Sequence, residues 1–239
     1  MFVPVHDINP LKRLPFQWAT VSLIAVNVLG FLVLGTEYFA PANRYAPEFA
    51  LVPAEFLGRS ELPSMTVFWG YEPLPMPEVV TALTYMFVHV GFFHLAGNMT
   101  FLWVFGDNVE DAMGHWRFLL FYLLCGVVAA MVHVASAPDS IVPTIGASGA
   151  VSGVIAAYLM LHPNVKVWVL VLYRIPLRIT AAWIIGFYIA VQIYNVFFGA
   201  EESMIAWGAH LGGLATGAVL VLFMRRPNVP LFDKTIGKA

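Results

Sequence analysis

The chain has 239 residues, of which 60% are hydrophobic and only 11% are charged. Soluble domains carry about 25% charged residues, so this composition excludes an ordinary soluble protein and indicates a membrane protein. The net charge of −2 gives no indication of nucleic-acid binding, and we expect no nucleic-acid partner. Since the sequence has one cysteine, Cys125, an intramolecular disulfide is excluded.

Six apolar runs predict six membrane-spanning helices in a single domain, 1–239. A helix needs about 20 apolar residues to cross the hydrocarbon core. A short N-terminal segment, 1–15, precedes these runs, and a basic tail, 225–239, follows them. The predicted spans cover residues 16–35, 92–109, 116–135, 148–161, 179–198 and 205–224. We therefore expect an all-α membrane protein.

The segment between the first two spans, 37–78, is long and rich in proline, and we expect it to lie partly in the membrane interface. The fourth span is unusually short. With a rise of about 1.5 Å per residue it cannot cover a core about 30 Å thick, so Ser148 at its start should lie below the membrane surface. Irregular backbone at that depth, here 136–147, requires protein or water around it. We expect a recessed, hydrated pocket beside Ser148.

The basic residues predict the orientation, because cytoplasmic loops are enriched in Lys and Arg. With six spans and the N-terminus in the cytoplasm, ten basic residues lie inside: Lys12, Arg13, Arg117, Lys166, Arg174, Arg178, Arg225, Arg226, Lys234 and Lys238. Two, Arg44 and Arg59, lie outside. Both termini are therefore expected in the cytoplasm, with Ser148 in the outer half of the membrane.

Two reactive side chains lie inside the apolar runs. A histidine in a membrane span is costly and indicates a functional site, so His210 is a candidate base for the weak nucleophile Ser148. Both residues start spans that run inward, so they should lie at similar depth. Small residues near both would allow close helix packing: Gly149, Gly153, Gly213 and Gly217.

Acyl transfer also requires donors for the developing oxyanion. Asn98 offers an amide, His94 a ring N–H, and Ser148 a backbone N–H at a helix start. Asn98 and His94 are four residues apart and share one helix face. Glu110 and Asp111 lie at the wrong depth to orient His210, so the sequence favours a Ser-His dyad over a triad.

Three motifs occur in a characteristic order over the six spans: His89-x4-His94-x3-Asn98, Gly146-Ala147-Ser148-Gly149, and Ala209-His210-x-Gly-Gly. Together they resemble those of the rhomboid intramembrane serine proteases. The run Phe105-Gly106-x-x-Val109-Glu110 is also similar to the family's pattern. The resemblance covers the chain from its first span to its sixth.

This resemblance implies a six-transmembrane-helix rhomboid bundle with a long first loop and a short fourth helix. Ser148 would be the nucleophile and His210 the general base, and the reaction would need no metal or cofactor. Residues that would hold the oxyanion and substrate are Asn98, His94, the Ser148 amide and Gly146, with His89 in support. The segment 136–147 would pair with substrate backbone. Substrates would be transmembrane segments of membrane proteins, cleaved within the lipid bilayer.

The sequence departs from the family's pattern in two places. Val80 and Thr81 stand where a Trp-Arg pair is frequent, and Ser152 stands where an aromatic residue often packs on the base. The sequence also leaves other functions open: a small transporter, a non-catalytic relative that binds membrane spans, or a zinc hydrolase using His89, His94 and His210. The last lacks an HExxH helix. We expect the plasma membrane of a bacterium as the location.

Overall fold

The structure is a computed structural model that describes residues 2–34, 47–59, 77–171, 174–199 and 205–233. Its six long helices and three strands are, in chain order, β1 (Phe2–Asp7), α1 (Trp18–Leu34), α2 (Phe92–Met113), α3 (His115–Ser136), α4 (Ser148–Leu161), β2 (Lys166–Val171), β3 (Ile175–Thr180), α5 (Ala181–Phe198) and α6 (Trp207–Met224). Short helical turns lie at Pro47–Phe49, Pro53–Phe56 and Glu78–Phe87. Most of the predicted first loop, 37–46 and 60–76, lies outside the described residues.

Each predicted span corresponds to one long helix. By length and composition, α3, α5 and α6 can each cross a membrane, and α2 can do so together with Glu78–Phe87, from which it is bent by 80°. The helices α1 and α4 are apolar but shorter, with 17 and 14 residues. The chain is thus a mostly helical membrane protein with three or four clear spans among its described residues, and a count of six stays a prediction.

The chain is mostly helical, as predicted, but the all-α expectation did not include a three-stranded antiparallel sheet that the described residues form, in the order β1-β2-β3. The central strand β2 alternates between exposed and buried residues, with Val167 and Val169 buried. Its β-branched residues favour this conformation. Because Ile179 and Thr180 complete β3, α5 begins at Ala181 and not at 179 as predicted.

The N-terminal segment is anchored to the bundle by buried polar contacts. The carboxylate of Asp7, in β1, accepts a hydrogen bond from the Tyr158 hydroxyl of α4, and Asn9 exchanges hydrogen bonds with Asn108 of α2. Burial raises the pKa of Asp7 to about 6, although the Tyr158 hydrogen bond opposes this shift. The end of the bundle that holds the sheet is called the sheet side below.

Two carboxylates at the C-terminal end of α2 hold the start of α1. Glu110 is fully buried and accepts hydrogen bonds from the Ala19 amide (2.9 Å) and from the amide and hydroxyl of Thr20 (2.7 and 2.6 Å). The first N–H groups of a helix lack partners within the helix, and negative charge is favourable there. Asp111 accepts hydrogen bonds from three amides of the preceding segment, those of Lys12, Arg13 and Leu14. The pattern Phe105 to Glu110 therefore has a structural role on the sheet side.

Helix α4 occupies the centre of the bundle and packs against α2, α3, α5 and α6. Its sequence is apolar on every face, as expected of a helix surrounded by protein, and nearly all of its residues are buried. The contact with α6 is very close. A Cβ on Gly213 would lie 1.9 Å from the Gly149 carbonyl oxygen, and one on Gly217 would lie 2.2 Å from that of Gly153. The two backbones therefore touch along four glycines.

We predict that Gly213→Ala destabilises the protein strongly, because the new methyl group would overlap a backbone atom that cannot rotate away. The expected loss is about 3 kcal/mol, the upper range for an overpacked site. The matched control is Gly186→Ala in α5, whose Cβ would meet nothing within 4 Å. Unfolding in detergent, followed by circular dichroism, should show a lower midpoint only for Gly213→Ala. Equal midpoints would contradict the close contact of α4 and α6.

We predict that Glu110→Ala also destabilises the fold, because two buried amides and a hydroxyl lose their charged acceptor. A hydrogen bond to a charged group contributes about 1.5–3 kcal/mol, so a loss of about 3 kcal/mol is expected. Glu78→Ala, which removes an exposed carboxylate, serves as the control. The same unfolding measurement tests this prediction, and a Glu110→Ala midpoint equal to that of the control would refute the proposed anchoring of α1.

Candidate active site

Ser148 is the first residue of α4 and lies away from the sheet side. The chain enters α4 through Gly146, whose φ of +111° is strained for any residue with a side chain. The Gly146 amide donates a hydrogen bond to the Tyr85 carbonyl (2.9 Å), and Thr144 and Leu51 exchange backbone hydrogen bonds. The segment before Ser148 is thus held by backbone contacts with two other parts of the chain.

The structure brings Ser148 and His210 into hydrogen-bond contact. The Oγ atom of Ser148 lies 2.8 Å from Nε2 of His210, which is in the first turn of α6. Both side chains are half-buried. This distance is within the range over which a base takes a proton from a hydroxyl. The serine is therefore placed for activation as a nucleophile.

The other ring nitrogen of His210 also has a partner, which the sequence analysis missed. Nδ1 lies 2.8 Å from the side-chain carbonyl oxygen of Gln192, a buried residue of α5. The sequence favours a dyad because the carboxylates Glu110 and Asp111 lie at the wrong depth, and it gives no role to Gln192. The sequence does contain an indication of this contact. Gln192 carries a strongly polar amide in an otherwise apolar span, where such groups require a hydrogen-bonding partner.

Ser152 stands where an aromatic residue is frequent in the rhomboid pattern, and a contact with α5 explains this difference. Ser152 is fully buried, and its hydroxyl donates to the Ser148 carbonyl (2.7 Å) and lies 2.8 Å from the Tyr188 hydroxyl. Since the proton of Ser152 is already used, Tyr188 donates to it. Tyr188 lines a cavity together with His210, so an aromatic side chain reaches the site from α5 and not from α4.

The second place where the sequence departs from the rhomboid pattern is Val80 and Thr81. These residues lie in the turns before α2, away from the contacts of Ser152. Thr81 is buried, and its hydroxyl donates to the Glu78 carbonyl within the turn (2.6 Å), while Val80 precedes it. Thr81 therefore supports the local helical turn.

His94 and Asn98 are brought together beside Gly146. A Cβ on Gly146 would lie 2.5 Å and 2.6 Å from two atoms of the His94 ring and 3.7 Å from the Asn98 amide nitrogen. The Asn98 amide donates to the His94 carbonyl one turn earlier in α2 (3.1 Å). Nδ1 of His94 is buried and has no hydrogen-bonding partner among the described residues. Both side chains can therefore offer donors to a ligand held near Ser148.

His89 lies beside the candidate site and not in it, unlike the other predicted site residues. It is 2% exposed, its Nε2 accepts a long hydrogen bond from the Ala147 amide (3.4 Å), and its ring meets that of His94 edge to face, with centroids 5.1 Å apart. It is not among the residues that line the cavities beside Ser148. His89 thus touches the backbone before Ser148 and one candidate donor, and does not reach the site itself.

Two cavities meet at His94, Ser148 and His210. One, of about 230 Å³, is bounded by the segment 143–146 and the start of α6. The other, of about 220 Å³, lies between α2 and α5 and is lined by mostly apolar side chains, with the Asn98 amide among them. A peptide could therefore reach the serine with backbone on one side and apolar side chains on the other. Within the described residues, no group of three His, Cys, Asp or Glu side chains could hold a metal ion.

A family model matches most of the chain. The model of the Rhomboid domain matches residues 76–227, a range that contains all three motifs and helices α2 to α6.

Several relatives are similar over a large part of the chain. The rhomboid protease GluP of Bacillus subtilis (strain 168) is 32% identical over 154 residues, which are 64% of this chain and 28% of that protein. RHOMBOID-like protein 1 of Arabidopsis thaliana is 26% identical over 95% of this chain and 58% of its own length. The mitochondrial Rhomboid protein 1 of Saccharomyces cerevisiae (strain ATCC 204508 / S288c) is 31% identical over 56% of this chain and 38% of its own length. The matches thus span between about a quarter and three fifths of these relatives.

Proposed function

The chain belongs to the rhomboid family, and from this membership and its site geometry we propose that it is an intramembrane serine endopeptidase. The observation that carries the proposal is the 2.8 Å contact between Ser148 Oγ and His210 Nε2. A hydroxyl next to a base is the arrangement that acyl transfer requires. A relative named as a protease, GluP, is consistent with this assignment.

The proposed reaction proceeds through an acyl-enzyme. Ser148 Oγ attacks the carbonyl carbon of the scissile peptide bond while its proton passes to His210 Nε2. The tetrahedral intermediate collapses when His210 gives that proton to the leaving amine, so that the C–N bond breaks and an ester to Ser148 remains. Water then attacks the ester, with His210 as base and then as acid, and releases the new carboxylate and the free serine.

The oxyanion would be held by the backbone amide of Ser148, the side-chain amide of Asn98 and the ring of His94. His94 and Asn98 lie next to the position of Gly146, where a side chain would collide with His94. Donors that are already in place stabilise developing charge without reorganisation, which is the main advantage of such a site. Gly146 would therefore leave room for the substrate carbonyl.

We propose transmembrane segments of membrane proteins as substrates. The cavity between α2 and α5 is lined by apolar side chains such as Phe93 and Phe101, which suits a segment arriving from the lipid bilayer. Peptide bonds within a helix are covered by the helix itself, so the substrate has to unwind locally before attack. The segment 136–147 is already extended at Thr144, which pairs with Leu51, and would pair with the unwound substrate.

The charges of the described residues support the proposed orientation. Nearly all of their Lys and Arg side chains belong to the sheet side: Lys12, Arg13, Arg117, Lys166, Arg174, Arg178, Arg225 and Arg226. Arg59 instead pairs with Asp139 near the opposite end (3.1 Å). By the positive-inside rule the sheet side would face the cytoplasm and Ser148 would lie in the outer half of the membrane. We propose a bacterial plasma membrane as the location.

Labelling with a fluorophosphonate probe tests the dyad. We predict that the purified wild-type protein is labelled and that Ser148→Ala and His210→Ala are not, because an unactivated serine reacts very slowly. Thr216→Val in α6 is the control, since its hydroxyl donates within its own helix, to the Gly212 carbonyl (2.7 Å). A folded wild type that resists labelling, while a known rhomboid protease is labelled, would favour the non-catalytic or transporter alternatives.

Asn98→Ala tests the oxyanion site. We predict that kcat for cleavage of a transmembrane substrate falls by about 10²–10³-fold, the usual effect of removing one oxyanion donor. Asn195→Ala is a suitable control, because within the described part of the chain its amide bonds the Val191 carbonyl of its own helix (2.8 Å). Wild-type cleavage rates in Asn98→Ala would remove Asn98 from the proposed mechanism.

A further inference from the structure

We propose that Gln192 is a positioning residue that fixes the tautomer and the ring orientation of His210. This inference rests on the proposed function, and it turns the predicted Ser-His dyad into a relay of three neutral side chains. Its members come from three helices: Ser148 from α4, His210 from α6 and Gln192 from α5.

The two nitrogens of the imidazole ring have different roles. A neutral histidine carries one N–H, and the other nitrogen accepts. Nε2 can take the proton of Ser148 only if the ring proton is on Nδ1. The side-chain oxygen of Gln192 lies 2.8 Å from Nδ1, and since it can only accept a hydrogen bond, it selects the tautomer with the proton there. The second 2.8 Å contact, from Nε2 to Ser148 Oγ, is then an O–H···N hydrogen bond.

The burial of Gln192 indicates that its amide has a specific task. Helix α5 is largely exposed to its surroundings, with Trp183 at 77% and Phe197 at 72% exposure, whereas Gln192 is only 3% exposed. The other buried residues of α5 are Ala181, Ile184 and Ile185, all apolar and closer to its start. An amide buried in an apolar helix is unfavourable unless it is hydrogen-bonded. A leucine would fill the same space without this cost, but it could not bind His210.

A second polar contact of α5 holds Gln192 in place. Tyr188 precedes it by one helical turn, so the two side chains share a face of the helix. The Tyr188 hydroxyl binds Ser152 of α4 at 2.8 Å, one turn after Ser148. The Tyr188 contact therefore holds α5 against α4 close to the point where Gln192 contacts His210.

The test compares kcat, KM and the pH profile of cleavage of a transmembrane substrate by the wild type, Gln192→Leu, Gln192→Glu and Asn195→Leu. We expect Gln192→Leu to lose at least about 10²-fold in kcat with little change in KM, since loss of the correct histidine tautomer lowers kcat by up to about 10⁴-fold in serine proteases. Gln192→Glu keeps an acceptor oxygen and should restore much of the activity. Its negative charge favours protonated His210, so the acid limb of its pH profile should move to higher pH.

Asn195→Leu is the matched control, because it replaces an amide on the same helix whose hydrogen bond, among the described residues, is to the Val191 carbonyl. Near wild-type kcat in this variant, together with a loss in Gln192→Leu, supports the inference. An unchanged kcat and pH profile in Gln192→Leu, or an equal loss in both leucine variants, overturns it. An inert wild type overturns the proposed function and this inference with it, whereas an active wild type and an equally active Gln192→Leu overturn this inference alone.

A measurement on the unsubstituted protein covers the case in which Gln192→Leu fails to fold. Nitrogen-15 NMR of histidine-labelled protein, with the His210 signals assigned by their absence from His210→Ala, distinguishes a protonated from an unprotonated ring nitrogen. We expect a protonated Nδ1 and an unprotonated Nε2 at neutral pH. The reverse assignment would overturn the proposed role of Gln192.

Discussion

The contact of α4 with α6 through glycine is the constraint on which the candidate site depends. A serine hydroxyl lies one bond beyond Cβ, so Ser148 can reach a base on another helix only if the two backbones nearly touch. Gly149 against Gly213 and Gly153 against Gly217 provide this contact, since a methyl group at either position of α6 would overlap a carbonyl oxygen of α4. The 2.8 Å distance from Ser148 to His210 follows from helix packing more than from the side chains themselves.

The two ends of the bundle serve different purposes. On the sheet side, buried carboxylates and strand pairing join distant parts of the chain: Glu110 binds the start of α1, and Asp7 binds α4. At the other end, the chain before Ser148 is irregular and the two cavities meet beside the serine. Irregular backbone inside a membrane is tolerated where protein or a cavity surrounds it. Anchoring at one end thus holds α4 while the other end remains accessible to a substrate.

Much of this arrangement could be predicted from the sequence, since it depends on local patterns. The apolar runs gave the six long helices, and the bounds of α4, Ser148–Leu161, agree with the prediction. The sheet could not be predicted this way, because β1 pairs with a strand more than 150 residues later in the chain. A local sequence pattern carries no information about such distant pairing. The contacts of Tyr188 and Gln192 were missed for the same reason. Each joins α5 to another helix, and only the packing of three helices decides which polar side chains meet.

The choice of an amide at position 192 follows from the surroundings of His210. The carboxylate of Glu110 is tolerated in a buried position because several groups bind it: the first amides of α1, the Thr20 hydroxyl and the His115 ring. A carboxylate at 192 would instead face His210 in a region of low dielectric constant. It would then be stabilised by a proton on His210, so the ring would be free to accept the proton of Ser148 only at higher pH. A neutral amide orients the ring without favouring its protonated form, so the base remains ready to react.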